Sequence, residues 1–475
     1  MESHNHRVPI IIRYIEKRTY TEHTHPQTTK SMIRISPYLR TALLIPCLLG
    51  AMQGMAQKYS WEDDLHHRLL CDFTQSREEV VDYISRFIPA VTDEKMARWE
   101  ASGALECMEL DGKKMYFHAA GRNLFRIDPK CRQIWQKAHP GEGYAASELA
   151  DMKNLPQILR DAPHTPDHTA QARHMRVTYT LTVPADVVSE GEKIRCWLPF
   201  PHREITRQTD IQLLSTSPAK HKMSAPDKPH STIYMEQKAV KGQPTVFTET
   251  FEYVSRGQKF AFDSIRPYDT KTALYRKYTA ERLPHIAFTP ELRALADSLT
   301  RGIENPAERA KSIFTYINDH FPWASAREYS TIPCIPMYVL QNRHGDCGQV
   351  SLLFITLCRL AGIPAHFQSG FMMHPGGSNL HDWAEVYFEG IGWVPVDQSF
   401  GIPGYARSEQ ERYFFLGGID SWRMVVNTDY GMPLSPKKKY PRSETVDFQR
   451  GEVEWRGGNL YFDQWNYNWE IEYLD

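Results

Sequence analysis

Gly345-Asp346-Cys347-Gly348, then His381-Asp382-Trp383-Ala384-Glu385-Val386-Tyr387-Phe388, then Gly392-Trp393-Val394-Pro395-Val396-Asp397 set a thiol, an imidazole and a carboxylate in order along one chain. From Cys347 onward, Val350, Leu353, Phe354, Leu357 and Leu360 continue with little polar interruption until Gly362 and Pro364. That run predicts a buried helix over 347–361, with Cys347 at its start. A thiol there faces the positive end of the helix dipole, which favours the thiolate, the attacking form. Gly345 and Gly348 leave room for a substrate backbone beside the sulfur. The main-chain N–H groups of the first turn, that of Gly348 included, are placed to receive an oxyanion.

Alternation along the next stretch puts His381, Trp383, Glu385 and Tyr387 on one strand face and Asp382 on the other. Gly392 marks a turn, after which Trp393, Pro395 and Asp397 share a face. A hairpin with these faces aligned brings Asp397 beside His381 and sets Trp383 along the same cleft. Asp397 then fixes the imidazole tautomer and His381 accepts the thiol proton. Singly, each residue has a plain structural role: a buried thiol, a strand-end histidine, a turn-opening aspartate. The order and spacing of the three carry the chemistry. A zinc site on Cys347, His381 and Asp397 is the competing use of the set, but a thiol at a helix start suits nucleophilic attack better. No metal or cofactor is expected.

The segment 338–401 resembles the transglutaminase-like superfamily of cysteine enzymes. Four stretches carry the likeness: Arg343-His344-Gly345-Asp346-Cys347-Gly348, Cys358-Arg359-Leu360-Ala361-Gly362-Ile363-Pro364-Ala365, His381 to Tyr387, and Gly392 to Asp397. The resemblance implies a papain-like α+β core with Cys347 as nucleophile, His381 as general base and Asp397 as orienting group, and no required metal. An upstream tryptophan donates its indole N–H to the oxyanion in some members; Trp323, in Phe321-Pro322-Trp323, is the candidate for that role here, and a packed structural tryptophan is the preferred reading of it. Gln398-Ser399 follows Asp397 where the family more often has Pro-Thr, which alters the strand exit. His344 reads as a surface residue, and His320, His366 and His374 show no ligand pattern.

Working outward, the 475 residues exceed one ordinary domain. The expected architecture is multidomain α+β: a papain-like transglutaminase core over 270–435, preceded by a β-sandwich domain over 172–265 and an N-terminal mixed α/β segment over 58–165. In that first segment, Ser76 with Glu79 forms a capping-box pattern before Val80, Tyr83, Ile84, Phe87 and Ile88, and Asp111-Gly112 predicts a hairpin. Met175, Val177, Tyr179, Leu181 and Val183 alternate with polar residues as a half-buried strand. Thr289-Pro290 and Asn305-Pro306 are helix starts. Ser435-Pro436-Lys437-Lys438-Lys439 reads as a solvated loop. The tail 440–475 is expected to form a β-hairpin around Gly457-Gly458-Asn459 that packs on the core or sandwich, with its alternating aromatics as core residues.

At the other end, Met32 begins a start-like pattern: Arg34 and Arg40, the apolar stretch Thr41–Ala51, and the small residues of Gly54-Met55-Ala56. This predicts a secretory signal over 32–56, with 1–31 a non-native extension, and hence a periplasmic or extracellular protein. The apolar stretch is too short to span a bilayer. Lys plus Arg number 56 and Asp plus Glu 57, so charge gives no argument for nucleic acid or an anionic membrane. The eight cysteines show no metal-ligand spacing, and removing Cys47 with the signal leaves seven, an odd number that allows a free thiol.

The function expected is an exported thiol enzyme acting on amide or peptide carbonyls of a protein or peptide substrate through a Cys347 thioester. Water resolves the thioester in a hydrolase, and an amine resolves it in a cross-linking acyltransferase. The contrasting class is a non-catalytic surface or assembly protein with a relic triad. Oligomeric state is not legible.

Overall fold

The computed structural model describes residues 59–140 and 144–474. The expected signal and the extension before it lie outside the described residues.

The N-terminal segment is mainly helical: Trp61–Asp72, Arg77–Ser85, Asp93–Ala101, Ala120–Ile127, Pro129–Ala138 and Ala146–Asp161. Ser60, Ser76, Thr92 and Asp128 cap four of these through their side chains, and Ser76 and Glu79 form the capping box. The chain leaves the second helix at Ser85, one turn before Pro89. A hairpin pairs Cys107–Leu110 with Lys113–Tyr116. Its turn residues, Asp111 and Gly112, have φ of 50° and 72°, as a primed two-residue turn requires. Phe73, Val80, Ile84, Trp99 and Leu124 share a core of their own. Helix Ala146–Asp161 leaves it and buries Leu155 and Ile158 in the core that supports Cys347.

Two five-stranded antiparallel sheets follow. One orders Gly418–Ile419, Thr245–Lys259, Thr169–Val183 and Asn466–Tyr473, with Gln208–Ser217 also on Thr245–Lys259. The other orders Gly458–Leu460, Glu452–Trp455, Lys193–Pro199, Thr232–Lys238 and His221–Met223. Met175, Val177, Tyr179, Leu181 and Val183 are all buried and share one core with Trp197, Phe247, Phe251, Val453, Leu460 and Trp465. The C-terminal tail thus supplies strands to both sheets. It makes the hairpin Glu452–Trp455/Gly458–Leu460, but Asn466–Tyr473 pairs instead with Thr169–Val183. Alternation marks such a segment as a strand without naming its partner, which lies about three hundred residues away in sequence. The lysine run differs from expectation too: Lys438 is buried, its ammonium 2.6 Å from the buried Glu452 carboxylate. A buried carboxylate needs a counter-charge, and one lysine of the run provides it.

The remaining unit combines helices Pro290–Thr300, Pro306–His320, Ile335–Asn342 and Cys347–Leu360 with a sheet ordered Gly392–Val396, Asn379–Phe388, Ala365–Met372, Arg423–Asn427. Thr289 and Asn305 cap the first two helices, each with proline at the first position. Every residue from Gly348 to Arg359 is buried. Leu353, Phe354 and Leu357 pack in one core with Ala384, Val386, Val394 and Val396 of the sheet. Each such side chain contributes about 1.5–3 kcal/mol on burial, so the helix that begins at Cys347 is fixed against the strand that carries His381.

Candidate active site

Asp346 is the N-cap of the Cys347 helix. Its carboxylate accepts the Gln349 N–H at 3.1 Å while Gln349 Oε1 accepts the Asp346 N–H at 3.2 Å, a reciprocal capping box. The preceding loop is tied to Trp323. Ala324 N–H donates to the Gly345 carbonyl at 3.2 Å, and Gly345 N–H to the Pro322 carbonyl at 3.4 Å. Trp323 is half-buried beside this loop, with the Arg126 guanidinium of the N-terminal segment 4.7 Å from its ring centre. Gly348 is required by space: a Cβ there would stand 2.3 Å from Tyr329 Oη and 2.7 Å from Asp382 Oδ2.

On the sheet, Ala384 pairs with Val396, so Asp397 lies opposite Trp383 and diagonal to His381. His381 Nε2 is 2.7 Å from Asp397 Oδ2. With Nε2–H donating there, the lone pair of the neutral ring sits on Nδ1. Asp397 Oδ2 also accepts from Arg423 Nη1 at 2.8 Å, and Oδ1 accepts the N–H groups of Ser399 at 3.1 Å and Phe400 at 2.9 Å. The strand exit at Gln398-Ser399 is thus a turn closed on Asp397 itself. Burial pushes this carboxyl up, but the His381 and Arg423 charges outweigh it and hold it well below the usual carboxylate range.

The opposite face of the same strand meets the helix that Cys347 opens. Ala384 and Val386 are in the helix core, and the Cys347 thiol donates to Asp382 Oδ2 at 3.4 Å. Burial, then the charges of Asp382 and Asp346, push this thiol well above its ordinary value. The helix dipole favours the thiolate, and desolvation and the two carboxylates act against it. His381 thus faces Asp397 and Cys347 faces Asp382, so adjacent residues of one strand serve the imidazole and the thiol.

Three other sequence expectations change. Trp383 does not line a cleft: it is fully buried, its indole N–H donating to Gln368 Oε1 at 2.7 Å, and it stacks behind His381 with ring centres 6.0 Å apart. His344 is not on the surface but 2% exposed, and burial pushes its ring down to about 4. His374 is also buried, its Nε2 3.0 Å from Asp151 and 3.4 Å from Asp420. Its partners come from distant segments, so no spacing could have revealed them.

Among the described residues, two groups have metal-ligating atoms within 4.8 Å of one another: His67, Cys71 and Asp463, and the buried Asp151, His374 and Asp420. Neither contains Cys347, His381 or Asp397. In the second group Asp420 is already paired with Arg423 at 2.6 Å. Seven cysteines are free thiols among the described residues. The residues that sequence reading missed are Arg423, Tyr329 and Gln449. Only Arg423 left a trace, as a lone charge opening the apolar run Met424-Val425-Val426.

Residues 293–398 match the family described as the transglutaminase-like superfamily. Two curated proteins are similar over 135 residues: the uncharacterized protein YebA of Bacillus subtilis, 27% identical, covering 24% of this chain and 18% of that protein, and the human kyphoscoliosis peptidase, 28% identical, covering 26% and 20%. The chain thus spans a fifth or less of the length of those relatives. Among solved structures, a Cytophaga hutchinsonii protein provisionally named a cysteine protease has a TM-score of 0.44 at 15% identity, covering 65% of this chain and 92% of that one. The periplasmic domain of TgpA from Pseudomonas aeruginosa has a TM-score of 0.26 at 14% identity, covering 52% and 91%. The segment 293–398, within which Cys347, His381 and Asp397 lie, is a core of the transglutaminase-like superfamily.

Proposed function

We propose that this chain is a thiol enzyme that cleaves amide or peptide bonds through a Cys347 thioester. The observation that carries the reading is the 2.7 Å contact between His381 Nε2 and Asp397 Oδ2, on the strand packed against the helix that Cys347 opens. An orienting carboxylate that sets the ring tautomer is what a histidine base requires. His381 takes the thiol proton as Cys347 attacks the carbonyl carbon, and passes it to the amine nitrogen as the C–N bond breaks. The developing oxyanion is held by the Cys347 and Gly348 amides, which precede the N–H already taken by Asp346, and Trp323 borders the same loop. The amine leaves, and water, deprotonated by His381, releases the acid.

Hydrolysis is the preferred outcome. One relative of the core is named a peptidase, and the sequence holds no recognisable calcium-binding loop. We propose further that the two sheets act as a β-sandwich that presents a protein or peptide substrate, and that the mature protein is exported. The test is incubation of the purified protein with a glutamine- or peptide-bearing donor and a labelled primary amine. Released acid without label supports the hydrolase. Label incorporated into the donor replaces it with the acyltransferase. No alkylation of Cys347 by iodoacetamide under native conditions, with no turnover, would leave a non-catalytic protein.

A further inference from the structure

Helix Trp61–Asp72 carries His67 and Cys71 one turn apart on one face. The C-terminal tail sets Asp463, in the helical turn Phe462–Gln464, against that face. His67 Nε2 is 3.2 Å from Asp463 Oδ1 and 3.8 Å from Cys71 Sγ, and one donor atom from each of the three residues lies within 4.8 Å of the other two. A tetrahedral zinc ion with bonds of about 2.0–2.3 Å holds its donor atoms roughly 3.3–3.6 Å apart. The two edges at His67 already match that spacing closely. One Nε2–H serves one acceptor well, and Asp463 is the nearer. An ordinary ion pair thus accounts for His67 and Asp463, but not for a sulfur converging on the same nitrogen. The approach of helix and tail is held from behind by other groups. Arg68 is fully buried, its guanidinium bonded to both Asp64 oxygens at 3.1 and 3.0 Å and 4.8 Å from the centre of the Tyr461 ring. The His67 ring meets Tyr461 edge-on at 6.0 Å. The His67 and Asp463 side chains are 45% and 41% exposed, so an ion reaches them from solvent. Cysteine spacing did not show this set because its third member comes from the far end of the chain.

We infer that His67, Cys71 and Asp463 form a binding site for a zinc-class divalent cation, separate from the triad, with a fourth position left to water. The donor set decides the class of ion. Thiolate with imidazole selects zinc and its neighbours, whereas calcium and magnesium take oxygen ligands. On binding, the Cys71 S–H proton goes to solvent and the sulfur binds as thiolate. His67 binds through the Nε2 lone pair of its neutral ring and Asp463 through its carboxylate. Two anionic donors and one neutral donor balance the charge of a divalent ion. The ion fastens the first described helix to the tail just before strand Asn466–Tyr473, which pairs with Thr169–Val183. The residue after Cys71, Asp72, accepts the Glu328 N–H at 3.0 Å. The N-terminal segment is thereby clamped on one side to the tail and on the other to the segment that carries Tyr329 to Asp346, 2.7 Å away. The ion acts as a staple of the folded chain and takes no part in the chemistry at Cys347.

The test is titration of the metal-free, thiol-reduced full chain with cobalt(II), followed by displacement with zinc. Cobalt on a thiolate gives a sulfur-to-metal charge-transfer absorption. Wild type is expected to develop it with one equivalent of cobalt, to lose it to zinc, and to melt at a temperature that rises with zinc concentration. His67→Ala, Cys71→Ser and Asp463→Ala should each weaken binding by about tenfold or more, with thermal melting to establish that each is folded. Cys347→Ala should keep the absorption, because its sulfur is not a ligand. Absorption missing in wild type, undiminished in any of the three site variants, or lost in Cys347→Ala overturns the inference. Should a site variant not fold, alkylation of wild type decides. Zinc occupies the thiolate that iodoacetamide attacks, so it slows labelling of the Cys71 peptide, read by mass spectrometry, by about tenfold or more. An unchanged rate overturns the site. Neither readout requires substrate turnover. A chain that binds zinc as expected yet cleaves no peptide keeps this site and loses the proposed function.

Discussion

Arg423 Nη1 lies 2.8 Å from Asp397 Oδ2, and both side chains are fully buried. The same guanidinium holds Asp420 at 2.6 Å, so one cation bridges two carboxylates behind His381. Removing one partner of a buried set leaves the others as uncompensated charges, at a cost of about 3–5 kcal/mol. Arg423→Met is therefore expected to lower the unfolding free energy, measured by chemical denaturation, by an amount in that range. Arg423→Lys keeps the charge but not the two-armed geometry, so it should fall between. A variant as stable as wild type would show that Arg423 is dispensable to the fold.

Cys347→Ala removes a small, half-buried group and leaves little cavity. Stability is expected to change by about 1 kcal/mol or less, while turnover disappears. His381→Ala should remove most of the rate, and Asp397→Asn less, because it disturbs the ring's tautomer without deleting the base. Measuring turnover and melting temperature on the same three preparations separates loss of chemistry from loss of fold.

How much of this was legible beforehand follows the range of the interactions. The Cys347 helix, the Ser76 and Thr289 caps, the Asp111-Gly112 turn and the His381–Asp397 pairing all depend on neighbours within a few residues or on one hairpin register. Sequence pattern carries those directly. Alternation also placed Asp382 opposite His381 correctly, but only the packing of that face on the helix shows that it meets the sulfur. Arg423, Tyr329 and Gln449 reach the site from segments that share no register with it. The tail strand Asn466–Tyr473 shows the same limit, since its partner Thr169–Val183 is set by the folded core. Trp383 failed for another reason: sharing a face with His381 says nothing about which part of that face is covered.

Gly348 lies in the first turn of the Cys347 helix, where Tyr329 and Asp382 fill the space a Cβ would take. Gly348→Ala is expected to displace one of them or the helix start, because 2.3 Å is far inside van der Waals contact. Overpacking of this kind costs about 1–3 kcal/mol. Activity should fall further than stability, since the displaced groups surround the sulfur. Tyr329→Phe in the same chain removes the hydroxyl that clashes and should restore part of the lost stability. An alanine variant with wild-type kinetics would show that the junction yields easily.

His344 gives a prediction about acid. Burial pushes its ring down to about 4 from the ordinary 6.5, and neither ring nitrogen has a hydrogen-bond partner among the described residues. Between those two values the unfolded chain binds a proton that the folded chain does not, so stability falls as pH drops from 6.5 through 4. The full effect is 2.5 pH units (6.5 − 4), or roughly 3 kcal/mol. His344→Leu cannot take up that proton in either state. Its stability relative to wild type should therefore rise steadily as pH falls across this window, and be constant above pH 7. Denaturation midpoints of both proteins at intervals from pH 8 to pH 4 would show the divergence. Parallel curves would mean that the ring finds a way to protonate within the fold.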